Sequence, residues 1–182
     1  MAALTPMMAQ YMEVKNQYKD CILFYRLGDF YEMFFDDALT ASRELEITLT
    51  GRDCGQEERA PMCGVPYHAC DIYLNKLIEK GYKVAICEQM EDPKLAKGIV
   101  KREVIRIVTP GTNMSQAILD ETRNNYLMCI FGCNDEYGVA VCDITTGEFR
   151  SCHISSTSKL YDEINKYSPT EIIGNEVFLS CG

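Results

Sequence analysis

The chain has 182 residues, which allows one large domain or two small ones, and its 47% hydrophobic and 25% charged residues are typical of a globular protein. It contains no apolar run approaching the roughly 20 residues that a membrane-spanning helix needs, and it does not begin with the basic and then apolar segments of a signal peptide. The net charge of −9 argues against a surface that coats nucleic acid.

The charge is unevenly distributed along the chain. Residues 1–113 carry 14 Lys and Arg against 17 Asp and Glu, a net charge of −3, whereas residues 114–182 carry 4 against 10, a net charge of −6. Neither part is expected to bind phosphates strongly by itself, because that affinity scales with the number of phosphates neutralised. Any contact with DNA should therefore be local, with other parts of a larger protein holding the DNA backbone.

The first part of the chain predicts alternating helices and strands. Thr5 followed by Pro6 is typical of a helix start, and Asp36 and Asp37 favour the first turn of a second helix, because acidic side chains stabilise the positive end of the helix dipole. The mixture of elements around one core predicts an α+β domain with a mixed sheet. We expect helices at 5–17, 36–46 and 71–80, strands at 21–26, 47–50, 83–89 and 100–109, and a polar loop at 51–60.

A Thr-Pro-Gly-Thr-Asn segment at 109–113 interrupts this pattern, and the polar residues after it predict a linker at 114–124. Three antiparallel strands, a helix and one more strand then look like the opening of a ribonuclease-H-like α/β domain. The predicted strands are 125–133, 137–144, 148–153 and 170–174, and the predicted helix is 155–167.

One segment, residues 23–37, combines aromatic and acidic side chains around a single glycine. An exposed Phe30 can push between stacked bases while Glu32 accepts a hydrogen bond from a base edge. Gly28 and Asp29 are expected to shape the turn that presents Phe30, because glycine tolerates a positive φ and a close approach to DNA. The alternative is a core strand with its aromatic side chains inward and its acids in water.

Asp143 ends a predicted strand and precedes a Thr-Thr-Gly turn at 145–147. A strand-end carboxylate is typical of metal-dependent nucleases with a ribonuclease-H-like fold, but that chemistry needs several converging carboxylates around two metal ions. A turn-forming aspartate is the alternative. Cys129 and Cys133 are four residues apart on one side of a predicted strand, but with only His68 and His153 elsewhere in the chain we expect no metal. The ten cysteines include no Cys-x-x-Cys pair, which is typical of free thiols in a reducing cytosol.

Five segments together resemble the MutS family of DNA mismatch-repair proteins. They occur in the family's order and at compatible spacings, and five ordered matches are far more specific than one short motif. The first resembles the family's mismatch-sensing segment. The five segments are FYRLGDFYE at 24–32, ITLT at 47–50, PMCGVPYH at 61–68, VAICEQ at 84–89 and RIVTPGT at 106–112.

The resemblance adds further candidate DNA-binding residues. Arg52 matches a basic position that the family uses near DNA, and a solvated loop arginine is the alternative. Met62, Tyr67 and His68 lie in a segment whose two prolines predict a stiff loop, and this segment resembles the family's second surface near the duplex. The alternative is that Tyr67 and His68 pack against the sensing strand.

The resemblance also implies a division of the chain into a mismatch-recognition domain at 1–113, a linker at 114–124 and the truncated beginning of a connector domain at 125–182. The implied function is recognition of mismatched or unpaired bases in double-stranded DNA by the Phe30 wedge and by Glu32, which initiates mismatch repair. A ribonuclease-H-like metal-dependent nuclease centred on Asp143 is the alternative.

The chain itself is expected to catalyse nothing, because it lacks a Gly-x-x-x-x-Gly-Lys-Ser/Thr motif. ATP and magnesium are implied only for a full-length protein of the family, whose ATPase lies near the C-terminus. The resemblance further implies a homodimer in the bacterial cytosol, associated with the nucleoid and not with a membrane, and bound by a MutL-type partner through the connector. The chain alone should be a monomer that binds DNA weakly.

Overall fold

The computed structural model describes residues 3–93, 96, 98–113 and 124–179. The chain divides into two compact units, residues 1–109 and 110–182. The linker predicted at 114–124 lies outside the described residues except for its last position. In the described part of the chain, no helix is long and apolar enough to cross a membrane.

The first unit is built on a mixed six-stranded sheet, as the predicted α+β class requires. The strand order is β3-β4-β2-β1-β5-β6, in which β1 and β5 are parallel and every other neighbouring pair is antiparallel. The strands are β1 Cys21–Leu27, β2 Phe30–Phe34, β3 Thr50–Arg52, β4 Ala60–Pro66, β5 Lys83–Gln89 and β6 Arg102–Val108, and the helices are α1 Pro6–Gln17, α2 Phe35–Leu45 and α3 Cys70–Glu79.

Helices cover both faces of this sheet, which gives the unit two hydrophobic cores. On one face, α2 and α3 pack against residues such as Phe24 and Met33. On the other face, α1 packs Met8 and Tyr11 against residues that include Phe34. Since successive side chains of a strand point to opposite faces, the residues of β2 alternate between the two cores.

The starts of α1 and α2 follow the sequence signals. Thr5 caps α1, its hydroxyl accepting a hydrogen bond from the Met8 amide at 3.4 Å, and Pro6 is the first helical residue. Asp37 lies in the first turn of α2, where the helix dipole favours it. Its carboxylate is also almost buried and receives the Lys15 ammonium at 2.9 Å and the Leu23 amide at 3.0 Å. These contacts join α2 to both α1 and β1.

Three predictions in this unit are wrong. The strand expected at 47–50 begins only at Thr50 and runs to Arg52 as β3, so the polar loop expected at 51–60 contains most of β3 and the first residue of β4. The strand starts late because α2 ends at Leu45, Glu46 after it is left-handed (φ +57°), and Ile47 then packs against the core. The stiff loop expected at 61–68 is mostly the strand β4, which pairs with both β2 and β3. Its two prolines lie near the strand ends, where a missing N–H costs little of the ladder.

The second unit contains a four-stranded sheet with the order β10-β7-β8-β9. Three antiparallel strands are followed by a helix and by a strand parallel to β7, as the sequence predicts. The strands are β7 Tyr126–Cys133, β8 Glu136–Asp143, β9 Glu148–Ile154 and β10 Glu171–Gly174, and the helices are α4 Thr157–Tyr167 and α5 Glu176–Leu179.

Candidate functional site

The turn between β1 and β2 presents Phe30. Gly28 and Asp29 form this turn, and Leu27 pairs with Phe30 across it. Gly28 has φ +57°, and a Cβ built on it would meet no described atom within 4 Å. Glycine is therefore required here for its conformation and not for space. The Asp29 carbonyl accepts a hydrogen bond from the Tyr67 amide at 2.9 Å, which fastens the turn to the end of β4.

Exposure rises along one face of β2 towards this turn. Phe34 is 1% exposed, with its ring edge-on to Tyr11 at 4.9 Å between centroids. Glu32, two residues earlier, has a side chain that is 16% exposed. Phe30, two residues earlier again, is 45% exposed and lies opposite Pro66 of β4. The same strand face is thus core at one end and accessible to a partner at the other.

The Glu32 carboxylate forms an ion pair with the Arg52 guanidinium of β3. The strand between them contributes Gly64 directly opposite Glu32. A Cβ on Gly64 would lie 3.4 Å from the Glu32 Cγ and 3.3 Å from the Tyr31 carbonyl oxygen, so the glycine leaves room for the glutamate to cross β4. Arg52, whose side chain is 39% exposed, also lies on this face, with its guanidinium carbon 6.0 Å from the centroid of the Phe34 ring.

A second charged cluster lies on the opposite face of the same hairpin. The Arg26 guanidinium lies 3.8 Å from the centroid of the Tyr67 ring and 3.5 Å from the Glu88 carboxylate. Glu88 also accepts the hydrogen bond of the Tyr31 hydroxyl. Burial, and then the contact with Glu88, raises the pKa of Tyr31. Arg26 and Glu88 were not among the residues expected at the site. The signal that could have found them is that each is a charged residue at a strand position whose alternate neighbours are buried and apolar.

The remaining candidates have different surroundings. Tyr67 and His68 are exposed in a short 3-10 turn, with their rings nearly perpendicular at 5.9 Å. Met62 is only partly buried and packs against the core beneath α1. The structure therefore brings Phe30, Glu32 and Arg52 together on one face, while Tyr67 packs on Arg26 on the other.

The two arginines at the β1–β2 hairpin are both neutralised by ion pairs. Arg26 and Arg52 each pair with a carboxylate, Glu88 and Glu32 respectively. Paired arginines release fewer counterions from DNA than free ones do, so the sequence-independent part of the affinity should be small. The site is suited to a local contact.

Asp143 is a structural residue of the second unit. Its carboxylate is 1% exposed and accepts hydrogen bonds from the Thr145 amide at 2.8 Å, the Thr145 hydroxyl at 2.6 Å and the Asn125 amide at 3.2 Å. Burial acts to raise the pKa of Asp143, but these hydrogen bonds outweigh it and the pKa is lowered. Asp143 is thus committed to its turn, and no observation favours the nuclease alternative. Among the described residues, no group of three or more His, Cys, Asp or Glu is arranged to hold a metal ion.

Comparison with known proteins identifies both parts of the chain. A family model described as MutS domain I matches residues 5–117, and one described as MutS domain II matches residues 125–181. The DNA mismatch repair protein MutS of Lachnoclostridium phytofermentans is 69% identical over 182 residues, which is 100% of this chain and 20% of that protein. The proteins of the same name from Acetivibrio thermocellus and Caldanaerobacter subterraneus are 68% and 59% identical, over 98% and 97% of this chain and 21% of each relative. The chain spans about a fifth of the length of these relatives.

Proposed function

The chain belongs to the MutS family of DNA mismatch repair proteins, and we propose that it recognises mismatched or unpaired bases in double-stranded DNA through Phe30 and Glu32. The observation that carries this proposal is the exposure of Phe30 at the tip of a fastened hairpin, on the same face as Glu32. The proposed domains are mismatch recognition at 1–113, a linker at 114–124 and the beginning of the connector at 125–182.

Phe30 acts as the wedge in this proposal. An apolar ring inserted between base pairs must unstack a step, which costs on the order of a few kcal/mol and least at a mismatch. The kinked duplex then wraps more protein surface, which offsets that cost. Phe30 therefore responds to how easily the duplex deforms and not to its base sequence. A rigid tip supports this role, because the Gly28 turn and the Asp29–Tyr67 hydrogen bond restrict where the ring can lie.

Glu32 supplies the second part of the discrimination. Its carboxylate is repelled by phosphates, so its presence next to DNA needs a compensating hydrogen-bond donor. A displaced base offers one, whereas the stacked bases of an intact duplex offer none. A hydrogen bond that only the mismatched duplex can form raises selectivity without raising the affinity for matched DNA.

The rest of the activity is proposed for a full-length protein. There, ATP and magnesium would be bound by the family's ATPase; the sequence of this chain offers no phosphate-binding motif for them. A homodimer in the bacterial cytosol would supply the clamp on the DNA backbone, and a MutL-type partner would bind through the connector. The net charge of −3 on residues 1–113 supports this division of labour, because the recognition domain itself has no surplus of positive charge.

Binding by the full-length Phe30→Ala variant tests the proposal. Affinity should be measured for a mismatched duplex and for the matched duplex at one fixed salt concentration. Loss of base–aromatic stacking, worth roughly 1–3 kcal/mol, should lower the mismatch-to-homoduplex ratio by about 5- to 150-fold. The control is Phe149→Ala, since Phe149 is 67% exposed but lies in the second unit. A folded Phe30→Ala protein with undiminished selectivity contradicts the proposal.

A further inference from the structure

The ion pair between Glu32 and Arg52 joins two residues that are both proposed to meet DNA. Among the described residues, Arg52 is the one side chain that bonds the Glu32 carboxylate. Glu32 is 16% exposed and Arg52 is 39% exposed, so the arginine is the more accessible member of the pair. The guanidinium bonds one oxygen of the carboxylate, Oε2, so a base donor that binds this oxygen competes with Arg52.

Arg52 has an alternative partner as soon as DNA is present. A guanidinium binds phosphate oxygens as readily as it binds a carboxylate, with the same two-pronged geometry. Glu32 has no such alternative on the DNA backbone, because its charge has the same sign as the phosphates. A partner for it must be a donor on a base, which an unstacked or mispaired base offers.

We propose that Arg52 is an exchangeable counterion that determines specificity: it holds Glu32 in the free protein and on intact duplex, and moves to a phosphate only when a mismatched base takes its place on Glu32. The proposal rests on the proposed function. On intact duplex, opening the pair would leave a carboxylate unsatisfied next to phosphates, so the pair stays closed. On a mismatch, both members find new partners and nothing is left unpaired.

The exchange predicts a difference in salt dependence. Each neutralised phosphate contributes about −0.9 to the slope of log affinity against log salt concentration. Because Arg52 reaches a phosphate only on mismatched DNA, the slope for mismatched DNA should be steeper by about 0.9 than the slope for homoduplex. The full-length protein is titrated with both duplexes, identical except for the mispair, across a range of potassium chloride concentrations.

Single variants should change one slope each. Arg52→Gln should make the mismatch slope shallower by about 0.9 and leave the homoduplex slope unchanged. Glu32→Gln should do the reverse, making the homoduplex slope steeper by about 0.9, because Arg52 is then free to contact a phosphate on either duplex. Arg52→Lys, which keeps the charge, should retain the difference between the slopes. Arg150→Gln is the matched control, since Arg150 pairs with Glu148 in the second unit.

Equal changes of both slopes in Arg52→Gln would overturn the exchange, because they would make Arg52 an ordinary phosphate contact. Unchanged slopes in either Arg52→Gln or Glu32→Gln would overturn it as well. Failure of the proposed function has a different signature, namely selectivity that survives Phe30→Ala. The exchange alone fails if Phe30→Ala loses selectivity while the mismatch slope of Arg52→Gln does not become equal to its homoduplex slope.

Discussion

The β1–β2 turn and the β8–β9 turn contain similar types of residue but have different roles. Each has a glycine at positive φ, Gly28 at +57° and Gly147 at +73°, each has an acidic residue, and each is followed by an exposed phenylalanine at the start of a strand. In the β8–β9 turn, the Asp143 carboxylate is buried and accepts hydrogen bonds from Thr145 of the same turn and from the Asn125 amide. In the β1–β2 hairpin, the nearby Glu32 is bonded to a partly exposed arginine from another strand.

The two carboxylates differ in whether they can exchange their hydrogen-bond partners without disturbing the fold. Loss of the Asp143 carboxylate would leave the Thr145 and Asn125 amides without an acceptor, so its hydrogen bonds are part of the fold. Replacing the partner of Glu32 requires only that Arg52 rotates towards solvent or towards a phosphate. A carboxylate satisfied by the local backbone therefore indicates structure, and one satisfied by an accessible side chain from a distant strand indicates a site that can change partners.

Removal of the Asp143 carboxylate should have the largest effect on local stability. Asp143→Ala leaves the Thr145 and Asn125 amides without their acceptor, which should cost about 2–4 kcal/mol. Hydrogen exchange of these amides in the full-length protein measures the loss. Asp162→Ala, an exposed position in α4, should change protection within about 0.5 kcal/mol. An Asp143→Ala protein with native protection of the turn would show that Asp143 is not structural.

The protection of the β8–β9 turn should also depend on pH. The pKa of Asp143 is lower in the folded protein than in the unfolded chain, so its stabilisation is complete above the unfolded value of about 3.9 and is lost as the pH falls through the lower folded value. Exchange rates corrected for their intrinsic pH dependence should rise only below about pH 4. Asp143→Asn should remove this dependence, and a transition near neutral pH would contradict the assignment.

Replacing Gly28 or Gly147 by alanine should have a smaller effect on stability, and the two variants can be compared directly. Gly28→Ala and Gly147→Ala meet no described atom within 4 Å, so each should cost only the left-handed strain, about 1–2 kcal/mol. Asparagine, which tolerates this conformation, should cost less at either position. Mismatch selectivity of the full-length protein should fall in Gly28→Ala alone, because only that turn aims Phe30. Equal mismatch selectivity in the two alanine variants would contradict the role of the β1–β2 turn in aiming Phe30.

Local signals predicted much of the fold. The Thr5–Pro6 start of α1 and the strand β5 at 83–89 follow directly from capping and from the apolar run, and both are confirmed. The strand β4 was mistaken for a loop, because Pro61 and Pro66 are strong turn signals and only the sheet register shows that they fall near strand ends. In β4, strand pairing in the tertiary structure therefore outweighs the turn propensity of the two prolines.

The candidate site could likewise be predicted only in part from local sequence. Phe30 and Glu32 could be singled out from the sequence, because aromatic and acidic side chains close to one glycine are unusual. The Glu32–Arg52 pair could not, since the residues are 20 positions apart and meet only through the register of β2, β4 and β3. The packing of Tyr67 on Arg26 was equally hidden, because it depends on the Asp29–Tyr67 hydrogen bond that closes the hairpin.

Insertion of the residue at position 30 into a mismatch can be measured by the fluorescence of a tryptophan placed there. The chain contains no tryptophan, and Phe30→Trp keeps an aromatic ring that can stack on a base. The signal is taken as the difference between Phe30→Trp and the unaltered full-length protein, each bound to mismatched or matched duplex at saturation. We expect strong quenching by stacking on the mismatched duplex and little change on the matched one. Equal emission on the two duplexes would contradict the account, because the ring would then not enter the mismatch.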